Sequence, residues 1–507
     1  MTDTPTALGK QDVARGAGSV ALSRMGALID ALTQPIYTWL FGIATYGLYT
    51  VLWAWVNLVS NCVDMGFTSA LQRVVPQADS ETRAHAALKL ALIIGVLPSV
   101  VLALATSLAA APLAELINVA PKDRPALATG IMLFAWALPL WTFVEIATSA
   151  LRARRAFGPE IRLRIFWEQV VRLALALALF AAGFRTLGLL IAHLGSLFVT
   201  AGLSLRLLAR YYDLRLAWRA PFDRAALADL LLSGFSVLPA NISRRIFQDG
   251  PPILLNLMVP GAGGATAAGL YGIARKIASI PQIIRLTFLY VMAPLASAQA
   301  AVDRTAIQPL YAFSTRLSTV LVLPLAVALI LLGDQILDLF GPGAEGAFPI
   351  LVALVIGRAV ETVIGAAGPV LETTGHRGLP LLNALVGLAV WTALSFVLVP
   401  DLAGTGMAIA VAAGWSVAAL LAIAEVRIAD GLRTFTGRMW QGLAISAATG
   451  ALMWGADRAT APLGDRVEAA VVLLLFVVST WIGLRFGLSA TDREALGGIG
   501  RRLKLTR

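Results

Sequence analysis

A single cysteine, Cys62, stands in a chain of 507 residues, which excludes any intramolecular disulfide. Histidine is almost as scarce. His85, His193 and His376 are scattered, and no metal-ligand spacing, phosphate-cradling glycine loop, nucleophile elbow or HExxH motif occurs. No metal or cofactor is therefore expected. Charge is the third shortage: 14% of residues are charged, against about 25% in soluble domains. Hydrophobic residues make up 58% and the mean hydropathy is +0.80, a balance that excludes a soluble globular domain. The first 16 residues are polar and no cleavable signal is apparent, so the first apolar span is expected to be retained.

What the chain does contain is long apolar runs, such as 88–111, 317–332 and 469–484. Each is about long enough to cross a ~30 Å hydrocarbon core as a helix. Apolar windows between polar breaks predict fourteen transmembrane helices over 17–40, 46–71, 87–112, 125–150, 160–183, 186–208, 228–258, 265–297, 308–333, 346–370, 379–399, 404–426, 437–456 and 467–486. The expected fold class is an all-α polytopic membrane protein. Cys62 falls inside the second predicted helix, where it is expected to pack quietly.

Lysine and arginine gather on the cytoplasmic side of membrane proteins. Here most of the 40 basic residues fall at the N-terminus, in even-numbered loops and in the tail, counted with their flanking helix ends, for example Arg152, Arg154, Arg155, Arg162 and Arg164, then Arg206, Arg210, Arg215, Arg219 and Arg224. The odd-numbered loops hold only Lys122, Arg124, Arg185, Arg458 and Arg466. The alternation predicts both termini in the cytoplasm. It also accounts for most of the +11 net charge without a nucleic-acid partner, leaving attraction to anionic membrane lipids for the rest.

A repeat is visible. Gly-Leu-Tyr opens the second predicted helix at residues 47–49 and the eighth at 269–271, an offset of 222, and Glu145 and Glu361 lie 216 apart. Each pair is separated by six helices, an even number, so the copies run in parallel about an axis along the membrane normal. The expected organisation is an N-terminal lobe over 1–216, a C-terminal lobe over 217–430, two further helices over 431–488 and a basic cytoplasmic tail over 489–507.

Arg172, Arg244, Arg245, Arg275, Lys276, Arg285 and Arg358 fall inside predicted spans. A central cation costs from ~2.5 to more than 10 kcal/mol, so it normally faces a cavity or a partner. Tyr271, Arg275, Ser279, Gln282 and Arg285 share one helix face, while Lys276 points elsewhere. Asn241, Arg244, Arg245, Gln248 and Asp249 form a second patch, and the two are expected to face one polar cavity that receives an anion. Guanidinium suits phosphate because its planar fork donates two parallel hydrogen bonds. Pairing within a helix is the competing expectation for Arg245–Asp249, Glu168–Arg172 and Arg358–Glu361, which have i,i+4 or i,i+3 spacing. Pro251-Pro252 is expected to loosen the helix beside the arginines. Asp30, Asp64 and Glu145 are candidate ion-coupling groups or counter-ions, as are Asp249 and Glu361.

The stretch "YGLYTVLWAWVNLVSNCVDMGFTSALQRVVPQ" resembles the first hairpin region of the polysaccharide flippases in the multidrug/oligosaccharidyl-lipid/polysaccharide (MOP) exporter superfamily, through Gly47, Tyr49, Asp64, Gly66 and Arg73. "DGPPILLNLMVPGAGGATAAGLYGIARKIASIPQIIRLTFLYVMAPLASA" is similar to the counterpart in the second lobe, through Asp249, Gly269, Tyr271 and Pro294. Ser23-Arg24 with Asp30 resembles loosely the Ser-Arg start of the peptidoglycan lipid flippases in the same superfamily, with a different spacing, and adds Arg24 to the candidate cavity residues. The resemblance covers about the first twelve helices. It implies a V-shaped pair of six-helix lobes working by alternating access, a polyprenyl-pyrophosphate-linked oligosaccharide as load, and a bacterial inner membrane as location. Polysaccharide polymerase or ligase machinery would be a further partner.

Three other readings compete. An enzyme acting on lipid-linked sugars would need a large extracytoplasmic loop, and the odd loops are short, the longest being 113–124 and 455–466. Transport without covalent chemistry is therefore expected. A cation-coupled exporter of drugs or small metabolites would favour an acidic cavity. A peptidoglycan-precursor flippase would share the cationic one.

Overall fold

The computed structural model describes residues 33–156, 158, 162–282, 284, 307–364, 367–376, 378–435 and 437–505, and among them there is no β-strand. The main helices are α1 (Ile43–Val63), α2 (Phe67–Val74), α3 (Glu81–Leu108), α4 (Arg124–Phe134), α5 (Ala137–Ala153), α6 (Glu168–Ala181), α7 (Leu187–Tyr211), α8 (Leu214–Arg219), α9 (Arg224–Met258) and α10 (Ala262–Ile277). They continue as α11 (Gln308–Leu331), α12 (Phe348–Ile364), α13 (Gly378–Asp430), α14 (Gly437–Thr460), α15 (Asp465–Ile482) and α16 (Ala490–Ala495). The protein is all-α and polytopic. Among the described residues nine helical segments are long and apolar enough to cross a membrane.

Local chemistry sets the helix ends. Ser80 caps α3 by accepting from the Arg83 N–H, with Glu81 in the first turn toward the positive end of the dipole. Asp213 and Asp223 cap α8 and α9 in the same way. The second predicted helix, expected unbroken over 46–71, is instead interrupted at residues 64–66. Met65 (φ +50°) and Gly66 (φ +77°) take left-handed backbone there, and Asp64 accepts from the Thr68 N–H, satisfying a donor in the first turn of α2. Helix α13 joins two predicted spans, and its break at Ala403 (φ 43°) falls in the loop expected after Pro400. Helix α9 continues through Pro239, Pro251 and Pro252.

The chain divides into two compact units, Met1–Gly269 and Leu270–Arg507. A core of the first gathers Phe67, Leu71, Leu88, Ile146, Leu208 and Leu230 from five helices. The second has smaller cores, one around Tyr311, Leu371 and Val426 and another around Val320, Leu484 and Leu488. Many large apolar side chains point outward, among them Leu108, Phe198, Leu232 and Ile428. In a bilayer these meet lipid rather than water, so no hydrophobic penalty opposes their exposure. Cys62, expected to pack quietly inside, is exposed.

The two glycines of the Gly-Leu-Tyr repeat meet in the first unit. A Cβ on Gly47 would lie 1.8 Å from the Ala265 carbonyl oxygen, and one on Gly269 would lie 2.4 Å from that of Ile43. Residues 43 and 265 are also 222 apart, so the contact is reciprocal with the offset of the repeat.

Candidate anion-binding cavity

A polar cavity of about 260 Å³ opens in the first unit. Its wall is built by Ser60, Asn61 and Asp64 at the end of α1, Thr68 and Ser69 in α2, Glu145 in α5, and Asn241, Arg244, Arg245 and Gln248 in α9. Helical spacing puts the four α9 residues on one stripe, as i, i+3, i+4 and i+7. Four of the five residues in the patch expected from the sequence thus line one cavity. The fifth, Asp249, is buried, and its carboxylate stands 3.7 Å from Arg245.

The charges divide unevenly. Asp64 is buried and accepts from the Thr68 hydroxyl at 2.8 Å as well as from the Thr68 N–H. Glu145 accepts a 2.6 Å hydrogen bond from Arg164, whose guanidinium also lies 4.7 Å from the centre of the Trp141 ring. Arg244 is exposed, and among the described residues it has no carboxylate partner. Both acids on the wall are thus held by donors.

Sequence reasoning missed Arg164 by counting it, at the start of the predicted span 160–183, with the cytoplasmic loop before it. The π-helical segment Arg162–Trp167 brings it up to Glu145. No pattern in the sequence distinguishes that turn from a loop, although π-helices often mark functional sites.

The other sequence candidates separate. Arg172 forms a buried ion pair with Glu168 and donates to the Tyr49 hydroxyl at 3.3 Å, which in turn meets His193 Nδ1 at 3.1 Å. The pairing expectation is the one realised there. Arg358 donates to Glu361 at 2.6 Å and stacks 3.5 Å from the Trp415 ring centre, so it too is held within its unit. Arg275 and Lys276 are half-buried in α10 within the second unit, Arg275 one turn beyond the fully buried Tyr271. Arg24, Asp30 and Arg285 lie outside the described residues.

Comparison with known proteins bears on this arrangement. Residues 13–299, more than half of the chain, match a family described as polysaccharide biosynthesis protein. The chain belongs to that family. A member-like relative is the succinoglycan biosynthesis transport protein ExoT of Rhizobium meliloti (strain 1021), 27% identical over 387 residues, 76% of this chain and 73% of the relative. Among solved structures, the lipid II flippase MurJ in an inward closed conformation matches with a TM-score of 0.74 at 12% identity, covering 92% of this chain and 98% of that one. An inward-facing multidrug-resistance MATE transporter of the MOP superfamily matches with a TM-score of 0.61 at 16% identity, covering 82% and 97%. A MOP superfamily transporter from Pyrococcus furiosus, described by the reverse polarity of its binding pocket, matches at 0.55 and 15%, covering 82% and 95%. This polysaccharide biosynthesis family member thus shares the fold of these MOP-superfamily transporters.

Proposed function

We propose that this chain is a flippase. It moves a glycan repeat unit linked to polyprenyl pyrophosphate from the inner to the outer leaflet of a bacterial inner membrane, by alternating access, for cell-surface polysaccharide. The observation that carries the reading is the pair Arg244 and Arg245 on the wall of a polar cavity, in a helix long and apolar enough to cross a membrane. Such cations are retained in a membrane only where a cavity or partner compensates their desolvation. Pyrophosphate supplies the partner, and Asn241, Gln248, Ser60 and Asn61 supply the neutral donors and acceptors that sugar hydroxyls require. Family membership and the ExoT relative support the glycan.

In this reading Arg24, Arg275, Lys276, Arg285 and Arg358 are further anion-binding residues, and Asp64, Glu145, Asp249 and Glu361 are ion-coupling groups or counter-ions. The fourteen-helix count and cytoplasmic termini complete the topology. A load must bind inward and outward states with similar free energy, because an excess preference traps the carrier in one of them. A membrane potential negative inside favours export of an anion by ~2.3 kcal/mol per charge per 100 mV. The carboxylates on the same wall favour a second reading, cation-coupled export of small molecules. Their engagement by Thr68 and Arg164 counts against it.

The experiment is a deletion strain complemented with wild type or with Arg244→Ala/Arg245→Ala, scored for surface glycan and lipid-linked intermediates. The expected outcome is loss of surface glycan, with intermediates stranded on the inner leaflet, in both the deletion and the double variant. Full surface glycan in the deletion strain would sink the flippase. Full complementation by the double variant, with the deletion defective, would sink only the cavity assignment.

A further inference from the structure

The end of α7, the connector and the start of α9 carry Arg206, Arg210, Arg215, Arg219 and Arg224, all exposed, and among the described residues none of them forms a salt bridge within 4 Å. The acids of the same stretch are turned onto backbone. Asp213 accepts from the Arg215 and Leu216 N–H groups at 2.8 and 3.1 Å, and Asp223 accepts from those of Ala225 and Ala226 at 2.9 and 3.1 Å. The Leu216 and Arg215 bonds hold the Asp213 carboxyl below the ordinary carboxylate range, so it remains an anion fixed to the cap. Asp223 also stands 4.0 Å from Arg83, which is not one of the five.

Large aromatic side chains are exposed on the same stretch. Trp218 is 76% exposed and Phe222 65%, with Tyr211 exposed at the end of α7. These are not loose. The Tyr212 hydroxyl donates to the Ala150 carbonyl at 3.0 Å, and the Asp213 N–H meets His85 Nε2 at 3.0 Å. Lys89 Nζ donates at 2.9 Å to the carbonyls of both Trp218 and Ala220, while Ala217 and Ala220 are buried against the helices beneath. The connector is therefore fastened at four points and presents its rings outward. The positive-inside effect requires basic residues here, but it requires neither fixed aromatics nor a folded connector.

We propose that residues 206–224 form a docking surface for anionic phospholipid headgroups, with the guanidinium groups on the phosphates and Trp218 and Phe222 seated in the interfacial layer. Aromatic rings favour that layer because one part of the ring system stays apolar while its edge stays wet. Basic residues next to it are drawn to anionic lipid over a distance set by salt. The surface begins where α9 begins, so a headgroup bound there steadies the end of the helix that carries Arg244 and Arg245.

The test uses the full-length protein reconstituted in vesicles of phosphatidylcholine containing a fixed fraction of phosphatidylglycerol, with bromine placed on one lipid or the other. The Trp218 contribution to fluorescence quenching is isolated by subtracting the signal of Trp218→Phe. Brominated phosphatidylglycerol is expected to quench Trp218 several-fold more than brominated phosphatidylcholine at equal mole fraction. The preference should disappear in Arg215→Gln/Arg219→Gln/Arg224→Gln, and should shrink in the wild type as salt rises toward ~1 M, where the Debye length is about 3 Å. Equal quenching by the two lipids in wild type at low salt overturns the proposal, as does a preference that neither salt nor the triple variant reduces. The salt series decides the matter even if the triple variant fails to fold.

Discussion

Arg164 shows how much a single side chain can change the character of a cavity. It lies at the arginine-rich start of a predicted span, where it reads as a topology signal, yet it neutralises Glu145 on the cavity wall and rests against Trp141. Removing it leaves a poorly solvated carboxylate without its strongest donor. Arg164→Gln is expected to lower stability by about 2 kcal/mol, the scale of a hydrogen bond to a charged group. Glu145→Gln on top of it should restore part of that loss, because both changes remove the same interaction. Thermal unfolding of the four proteins in detergent measures the coupling, and strictly additive losses would contradict it. A second residue-scale prediction concerns Asp492, outside the membrane spans in α16. Burial would raise its carboxyl, but hydrogen bonds from Arg316, at 2.8 and 2.9 Å, and from Ser489 outweigh that and hold it below the ordinary value. A depressed folded value means the contribution is present above the ordinary carboxylate range and is lost as pH falls through the lowered one. Unfolding temperature should therefore drop at acid pH in the wild type, and Asp492→Asn should be less stable at neutral pH with a flatter acid limb.

At the scale of elements, the close helix crossings are made by glycine for steric reasons. Gly47 and Gly269 place backbone against backbone, and a methyl group at either would enter a carbonyl oxygen. Gly269→Ala should cost at least the ~1–3 kcal/mol typical of overpacking. Gly455→Ala, with nothing within 4 Å of the added carbon, should leave the unfolding temperature unchanged. Equal behaviour of the two would mean that the crossing relaxes freely. A similar contact joins Gly66 and Gly234, where added carbons would lie 2.5 and 2.4 Å from carbonyl oxygens of Gly234 and Met65. Much of this level was legible in the sequence. The Gly-Leu-Tyr repeat pointed to related positions, and hydropathy placed α3, α7, α9 and α11 within a few residues. The break at residues 64–66 was not legible, because the flanking apolar pattern runs straight across it and only the φ angles of Met65 and Gly66 reveal the turn.

For the whole molecule, charge alternation along the chain makes a topological claim that one labelling experiment decides. In a Cys62→Ser background, cysteines added before residue 16 and after residue 490 should react with a membrane-impermeant maleimide only when the inner face is opened. Reaction of either in intact cells would reverse the orientation. The sequence by itself determined that the chain is helical and membrane-spanning, because a bilayer forces backbone hydrogen bonds to close within each segment and so ties structure to local hydropathy. It also determined that α9 must meet something polar, since uncompensated arginines are too costly in an apolar helix. Spacing along one helix already offered Arg245–Asp249, Glu168–Arg172 and Arg358–Glu361, and those pairs form. Tertiary structure alone decided the partners that come from elsewhere: Arg164 on Glu145, Arg172 on Tyr49 and Arg358 on Trp415. Helical spacing restricts a side chain to a face but does not say which other helix stands opposite. Pairing across helices depends on packing between residues far apart in the chain, and no local pattern encodes that.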